Sequence, residues 1–178
     1  MPTRISGQMV ASPVFLRALE DSDLDFLYAL ENDPEIWGVS DTIAPVSRYA
    51  LREYLAHANA DFYEVRQLRL VICAQTDQRP VGILDIFDFQ PLHLRAGLGI
   101  TILSAERRRG YAVAALAVGV EYARLTLRLH QLYCTVAATN QASLRLFRKA
   151  SFRRIGVRQD WLRTAVGWDD AVELQKIL

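Results

Sequence analysis

Three guanidinium groups and a glycine stand together in Arg107-Arg108-Arg109-Gly110-Tyr111-Ala112. Upstream, Gly99-Ile100-Thr101-Ile102-Leu103 is apolar and β-branched, and reads as a strand. Downstream, Tyr111 to Val120 carries no charge and is rich in Ala, Val and Leu, which suits a buried helix. The arginines therefore lie where a loop becomes a helix N-terminus. The first N–H groups of a helix have no partner inside it, and the dipole there favours negative charge. Gly110 lets the backbone approach a ligand closely, and the arginines add cationic charge. The chemistry this implies is anion binding, phosphates first. Charge alone reads equally well as a solvated loop with a turn at Gly110.

Two carboxylates interrupt an otherwise apolar strand, Val81 to Phe89, at Asp85 and Asp88. Their spacing puts them on opposite faces, so at most one faces a cleft. A buried carboxylate needs a partner, so each is either a candidate base or an edge residue in water. A second acidic group, Glu31, Asp33, Glu35 and Asp41, could attract a polycation or simply end a helix in a solvated loop. The basic group Arg145, Arg148, Lys149, Arg153 and Arg154 reads as a solvated helix face or as a contact for a phosphate or an acidic partner.

Other chemistries are excluded. The two cysteines, Cys73 and Cys134, sit in apolar strand-like runs, and His57, His93 and His130 are scattered. No metal site and no structural disulfide is expected, and a reducing cytoplasm fits. A phosphate loop of the Gly-x4-Gly-Lys-Ser/Thr type is missing, and Gly97-Leu98-Gly99-Ile100-Thr101-Ile102 lacks the third glycine of a dinucleotide fingerprint. A net charge of +1 points to neither nucleic acid nor an acidic membrane surface. The apolar run after Gly110 ends at Glu121, far short of a bilayer span.

The elements that must position these residues follow from periodicity. Val14 to Leu19 is a first strand. Ser22 caps a helix through Leu24, Leu27, Tyr28 and Leu30, which Asp33-Pro34 stops. A second helix spans about Ser47 to Ala58. Leu68 to Ala74 and Val81 to Phe89 form a hairpin around Thr76 to Pro80. Leu94 to Leu103 is the strand that leads into the arginine loop. After the long helix come a strand, Leu132 to Ala138, and a helix, Asn140 to Lys149, with Asn140 as N-cap. Strands Phe152 to Arg163 and Ala171 to Leu178 close the chain around Gly167. The length suits one domain with a substantial core. The expected class is α/β: a single-domain, mixed, mostly antiparallel central sheet flanked by helices on both faces. Met1 to Ser12 is expected to be a flexible lead-in, with the domain over residues 13–178.

The loop Arg107-x-x-Gly110-x-Ala112 resembles the acyl-CoA pyrophosphate loop of the GCN5-related N-acetyltransferase (GNAT) superfamily, Gln/Arg-x-x-Gly-x-Gly/Ala. A second block, Asn140-x-x-Ser143 to Phe147-x-Lys149-x-Ser151-Phe152, resembles the family's Asn-x-x-Ser/Ala to Tyr-x-Lys-x-Gly-Phe segment. Order and separation agree, and the element order from Val14 to Leu178 is the family's. Within that superfamily the chain resembles the bacterial spermidine/diamine and ribosomal-protein alanine N-acetyltransferases.

The resemblance implies an acetyl-CoA-dependent N-acetyltransferase that moves an acetyl group to a primary amine (polyamine, small amine or protein N-terminus) by direct attack on the thioester. The alternative is an acyl-CoA-binding sensor of the same fold that does not turn over. It also implies cofactor contacts at Arg107, Arg108, Arg109, Gly110, Tyr111 and Ala112. The backbone near Ile102 would pair with the pantetheine arm where two strands splay, and Asn140 would bond the arm from the other side. Two departures stand out. Phe147 replaces the tyrosine that serves as general acid in relatives, and Gly97 occupies the position of an acidic residue in the polyamine branch. Asp85 and Asp88, which match carboxylates in the relatives, remain as base candidates. Tyr111 and Tyr133 are read as core residues without a catalytic role. A peptide N-terminus, partly neutral near pH 7, needs less help from a base, which tilts the expectation mildly towards a peptide or small amine. Ser151 in place of the family's Gly bears on the helix C-cap alone. Self-association is left open.

Overall fold

Alternating apolar residues on successive strands bury both faces of one sheet, and each face takes its own helical layer. The computed structural model describes residues 4–5, 12–37, 44–58 and 60–178. Among these, eight strands run in the order β1-β2-β3-β4-β5-β6-β8-β7: β1 Arg4–Ile5, β2 Val14–Arg17, β3 Leu68–Ala74, β4 Pro80–Gln90, β5 Arg95–Ile102, β6 Gln131–Ala137, β7 Arg153–Thr164 and β8 Gly167–Ile177. Helices are α1 Leu24–Glu31, α2 Pro34–Trp37, α3 Arg48–Ala56, α4 Phe62–Val65, α5 Tyr111–Leu125 and α6 Gln141–Lys149.

Neighbouring strands are antiparallel except β5 and β6, which run parallel and are joined through α5. A parallel pair needs such a crossover. Leu84 and Ile86 of β4, Ala96 and Leu98 of β5, and Leu132, Cys134 and Val136 of β6 bury against Ala115 and Leu116 of α5 and Phe147 of α6. On the other face, Phe15, Val71, Cys73 and Ile83 pack with Leu27 and Leu30 of α1 and Leu51 and Leu55 of α3. Each fully buried Leu or Ile contributes about 1.5–3 kcal/mol. The apolar cover from α1 and α3 reaches from β2 to β4 and no further along the strands. Among the described residues, no helix covers that face beyond β4.

One expectation about local structure is corrected. The first helical segment is not capped by Ser22. A 3-10 turn, Asp21–Asp23, precedes α1, and Asp23 accepts from the Glu20 N–H at 2.9 Å while Arg17 holds its carboxylate at 2.6 and 2.7 Å. That ion pair is buried and ties the end of β2 to the start of α1. The expected lead-in also contributes to the sheet, because Arg4–Ile5 pairs antiparallel with Arg17 and Leu16. The expected cap at Asn140 is present and Ser47 caps α3: each side-chain oxygen accepts a backbone N–H three residues on, at 3.0 and 3.1 Å. Short α4, between α3 and β3, has no counterpart in the periodicity; Asp61 caps it, and Phe62 stacks on Phe89 at 4.5 Å.

Candidate active site

The parallel ladder between β5 and β6 is short. Arg95, Ala96 and Gly97 pair with Gln131, Leu132 and Tyr133, and from Leu98 and Cys134 onward the two strands part. The facing edges of Leu98 to Ile102 and Cys134 to Ala137 thus leave a wedge in the middle of the sheet, where an extended chain could pair. At its wide end lies the N-terminus of α5.

Gly110 is the N-cap of α5 with φ of 83°, and no side chain caps the helix. The first helical bond runs from Ala114 N to Gly110 O at 3.2 Å, so the N–H groups of Tyr111, Ala112 and Val113 precede the ladder. A Cβ built on Gly110 would meet nothing within 4 Å. The glycine is therefore needed for its left-handed backbone, and the space above it is open. Arg108 is also left-handed, with φ of 63°, and both it and Arg109 are exposed. Arg109 lies 3.4 Å from Glu106. Arg107 serves the loop itself: its Nε donates to Ile102 O at 3.3 Å and its Nη1 to Glu35 at 2.8 Å. Asn140 Oδ1 is occupied by the Ser143 N–H, which leaves its amide NH2 for a ligand.

The acidic group is also drawn in. Glu31 pairs with Arg69 at 2.7 Å. Asp33 and Glu35 both lie against Ser104 Oγ, at 2.8 and 3.0 Å, just before the arginine loop. The Asp33 carboxyl is held below the usual carboxylate range by the Glu35 N–H and the Ser104 hydroxyl. These residues brace α2 against the loop, so helix end and solvated loop describe them incompletely. Asp41 lies outside the described residues.

Of the two base candidates, Asp85 is neither free nor at an edge. It lies on inner strand β4, opposite Arg69 on β3, whose Nε and Nη2 donate to it at 2.7 and 3.3 Å. Arg69 also lies under the Tyr54 ring. Burial alone would lower the Arg69 pKa, but the Asp85 charge and hydrogen bond outweigh it and raise it. Asp88 is exposed and has φ of 49° within a bulge between Phe87 and Gln90. Strict alternation therefore ends before it.

Phe147 is 4% exposed and packs edge-on against Phe152 at 5.1 Å, in the α5–α6 layer. Gly97, paired with Phe87, lies under that ring: a Cβ there would come within 2.4 Å of it. A larger residue at Gly97 would have to displace Phe87. Phe87 in turn meets Tyr133 edge-on at 6.4 Å. Tyr133 was read from the sequence as a core residue, but β6 turns Leu132 and Cys134 into the core and Tyr133 to the open face. Its neighbour Thr135 donates to Glu173 at 3.1 Å, and Arg158 lies 3.0 Å from the same carboxylate. Sequence reasoning missed Arg69, Phe87 and Glu173, and it read Tyr133 as core. The signal for Arg69 was present in the hairpin, whose register sets it opposite Asp85.

A parted parallel pair beside an uncapped, arginine-flanked helix N-terminus defines an acyl-CoA-binding acyltransferase architecture. Residues 14–153 match the model of the acetyltransferase (GNAT) domain, and the chain belongs to that family as an acetyl-CoA-dependent N-acetyltransferase. It is 28% identical over 149 residues to the spermidine N(1)-acetyltransferase of Escherichia coli (strain K12), covering 80% of this chain and 74% of that protein. Its fold is similar to that of Vibrio cholerae spermidine N-acetyltransferase in complex with CoA and spermine. There the TM-score is 0.85 at 23% identity, over 94% of this chain and 96% of that one. A dodecameric structure of the V. cholerae enzyme superposes with a TM-score of 0.78 at 22% identity, over 94% and 95% of the two chains.

Proposed function

We propose that the chain transfers the acetyl group of acetyl-CoA to a primary amine, with a polyamine such as spermidine as the first acceptor to test. The observation that carries the reading is the wedge between β5 and β6 opening onto the Gly110 helix terminus. In this reading the N–H groups at Arg108 to Ala112 and the exposed Arg108 and Arg109 hold the pyrophosphate. The free edge near Ile102 pairs with the pantetheine arm, and the Asn140 amide bonds it from the other strand. Arg107 acts at one remove, by fixing the loop to Ile102 and Glu35.

The acceptor then approaches from the open face beyond α1 and α3. That face carries Glu31, Asp85, Asp88 and Glu173 against Arg69, Arg95 and Arg158, a balance that favours a cationic amine. Asp85 anchors Arg69, and Asp88 is the carboxylate left to take the proton that the attacking ammonium sheds. The sequence-based tilt towards a peptide gives way here to the polyamine, because the named relatives are spermidine acetyltransferases. A cytoplasmic enzyme fits two buried cysteines that form no disulfide. Self-association fits the dodecameric relative.

Calorimetric titration of acetyl-CoA and CoA, followed by thiol release with polyamines and N-terminal peptides, tests the proposal. Binding with thiol release on spermidine is expected. Release on peptides alone would move the acceptor class, and binding without any release would leave the non-catalytic sensor.

A further inference from the structure

Acetyl transfer ends with a thiolate that needs a proton, and Phe147 cannot give one. The parting point of β5 and β6 is therefore the place to look for a replacement. Tyr133 is one partner of the last parallel pair, with Gly97. Its side chain projects from β6 on the face opposite Leu132 and Cys134, both of which are in the core. The ground beside it is low. Gly97 and Gly99 bring no side chains, and the Phe87 ring fills the space over Gly97 and abuts Tyr133. A thioester lying along the free edge of β5 would thus end beside the Phe87 ring and one phenol.

Resting on the transferase reading above, we propose that Tyr133 is the general acid of this enzyme, giving its phenolic proton to the departing CoA sulfur. The amine nitrogen bonds to the carbonyl carbon, and the carbon–sulfur bond breaks with its electron pair on sulfur. The phenol proton passes to that sulfur, and the phenolate regains a proton from the newly acylated nitrogen through water. Atoms and charge balance without a further reagent.

The surroundings keep the phenol protonated. Burial raises the Tyr133 pKa first; the Asp88 carboxylate on β4 and Glu173 on β8 raise it further, and Arg95 on β5 opposes them. Phe87 and Gln175, its other strand neighbours, carry no charge. Two other tyrosines do not compete for the role. Tyr111 packs against the α5–α6 core, and Tyr54, on α3, has its ring against the Arg69 guanidinium.

The test uses the whole chain and the amine that the unaltered protein acetylates. Tyr133→Phe removes one hydroxyl and should fold. We expect its kcat to fall about 10²-fold or more, the usual scale for a general acid, with the dissociation constant for acetyl-CoA within twofold. A ring-fluorinated tyrosine at position 133 gives two further readouts. Its fluorine NMR signal should move when CoA is titrated in. Its kcat should decline with rising pH through the neutral range, where the unaltered enzyme stays level.

Three results would each overturn the inference. They are a Tyr133→Phe kcat within twofold, a turnover loss that merely tracks lost acetyl-CoA binding, and a fluorine signal indifferent to saturating CoA. Absence of thiol release from the unaltered protein would instead remove the transferase reading, and this inference with it.

Discussion

Single residues shape the loop proposed to hold the cofactor, and Gly110 is the clearest of them. Its φ of 83° is open to glycine and strained for a β-branched side chain, while the space above its Cα is empty. Gly110→Val should therefore cost about 1–3 kcal/mol through backbone strain without a clash inside the protein. The valine side chain would stand where an anion must approach the helix N–H groups, so acetyl-CoA affinity should fall tenfold or more. Calorimetry on the folded variant checks this, and unchanged affinity would remove the loop from the site. The glycine was legible in the sequence because it stands between an apolar strand and an uncharged helical run. The division of labour among the three arginines was not. Arg107 turns back to Ile102 and Glu35, and the exposed Arg108 and Arg109 face solvent. Identical side chains in a row differ only in where the backbone points them.

At the scale of elements, the joint between β2 and α1 is held by a buried ion pair beside the Glu20–Asp23 capping box. Asp23 is 2% exposed, and its carboxylate takes two hydrogen bonds from Arg17 and one from the Glu20 N–H. Removing the cation leaves a buried, unpaired carboxylate, which is costlier than losing the pair altogether. Arg17→Ala should lower stability by about 3–5 kcal/mol, read as a shift of the denaturant midpoint. The double variant Arg17→Ala/Asp23→Ala should recover part of that loss. Ser22 looked like the cap because serine is favoured there; Asp23 has the better partner, and that partner is six residues away. The β3–β4 hairpin was readable because both strands show their apolar faces. Its register gives the Arg69–Asp85 pair, and that pair in turn ties α1 to the sheet through Glu31.

For the whole molecule, acid is the informative variable. Asp33 is held below the ordinary carboxylate range by the Glu35 N–H and the Ser104 hydroxyl, and Asp169 by the Thr139 hydroxyl and nearby N–H groups. A carboxyl with a depressed folded pKa binds fewer protons folded than unfolded. Its stabilisation is present above the unfolded pKa, near 4, and is lost as pH falls through the folded value. The melting temperature should therefore hold between about pH 5 and 8 and decline below pH 4. Replacing Asp33 and Asp169 by Asn should shallow that acid decline. These contacts join α2 to the arginine loop, and β6 to the β7–β8 hairpin. The decline should thus be accompanied by loss of acetyl-CoA binding.

The sequence alone determined the class of fold, the order of its major elements and the arginine-glycine helix start proposed to hold the cofactor. Hydrophobic period, helix-start chemistry and two spaced motifs are local properties, and local properties survive without coordinates. The tertiary structure decided what the residues on the open face do. The length of the β5–β6 ladder, the pairing of Asp85 with Arg69 and the exposure of Asp88 on a bulge depend on strand register. So does the turn of Tyr133 away from the core. Register joins residues tens of positions apart, and a one-residue slip would send each of them to the other face.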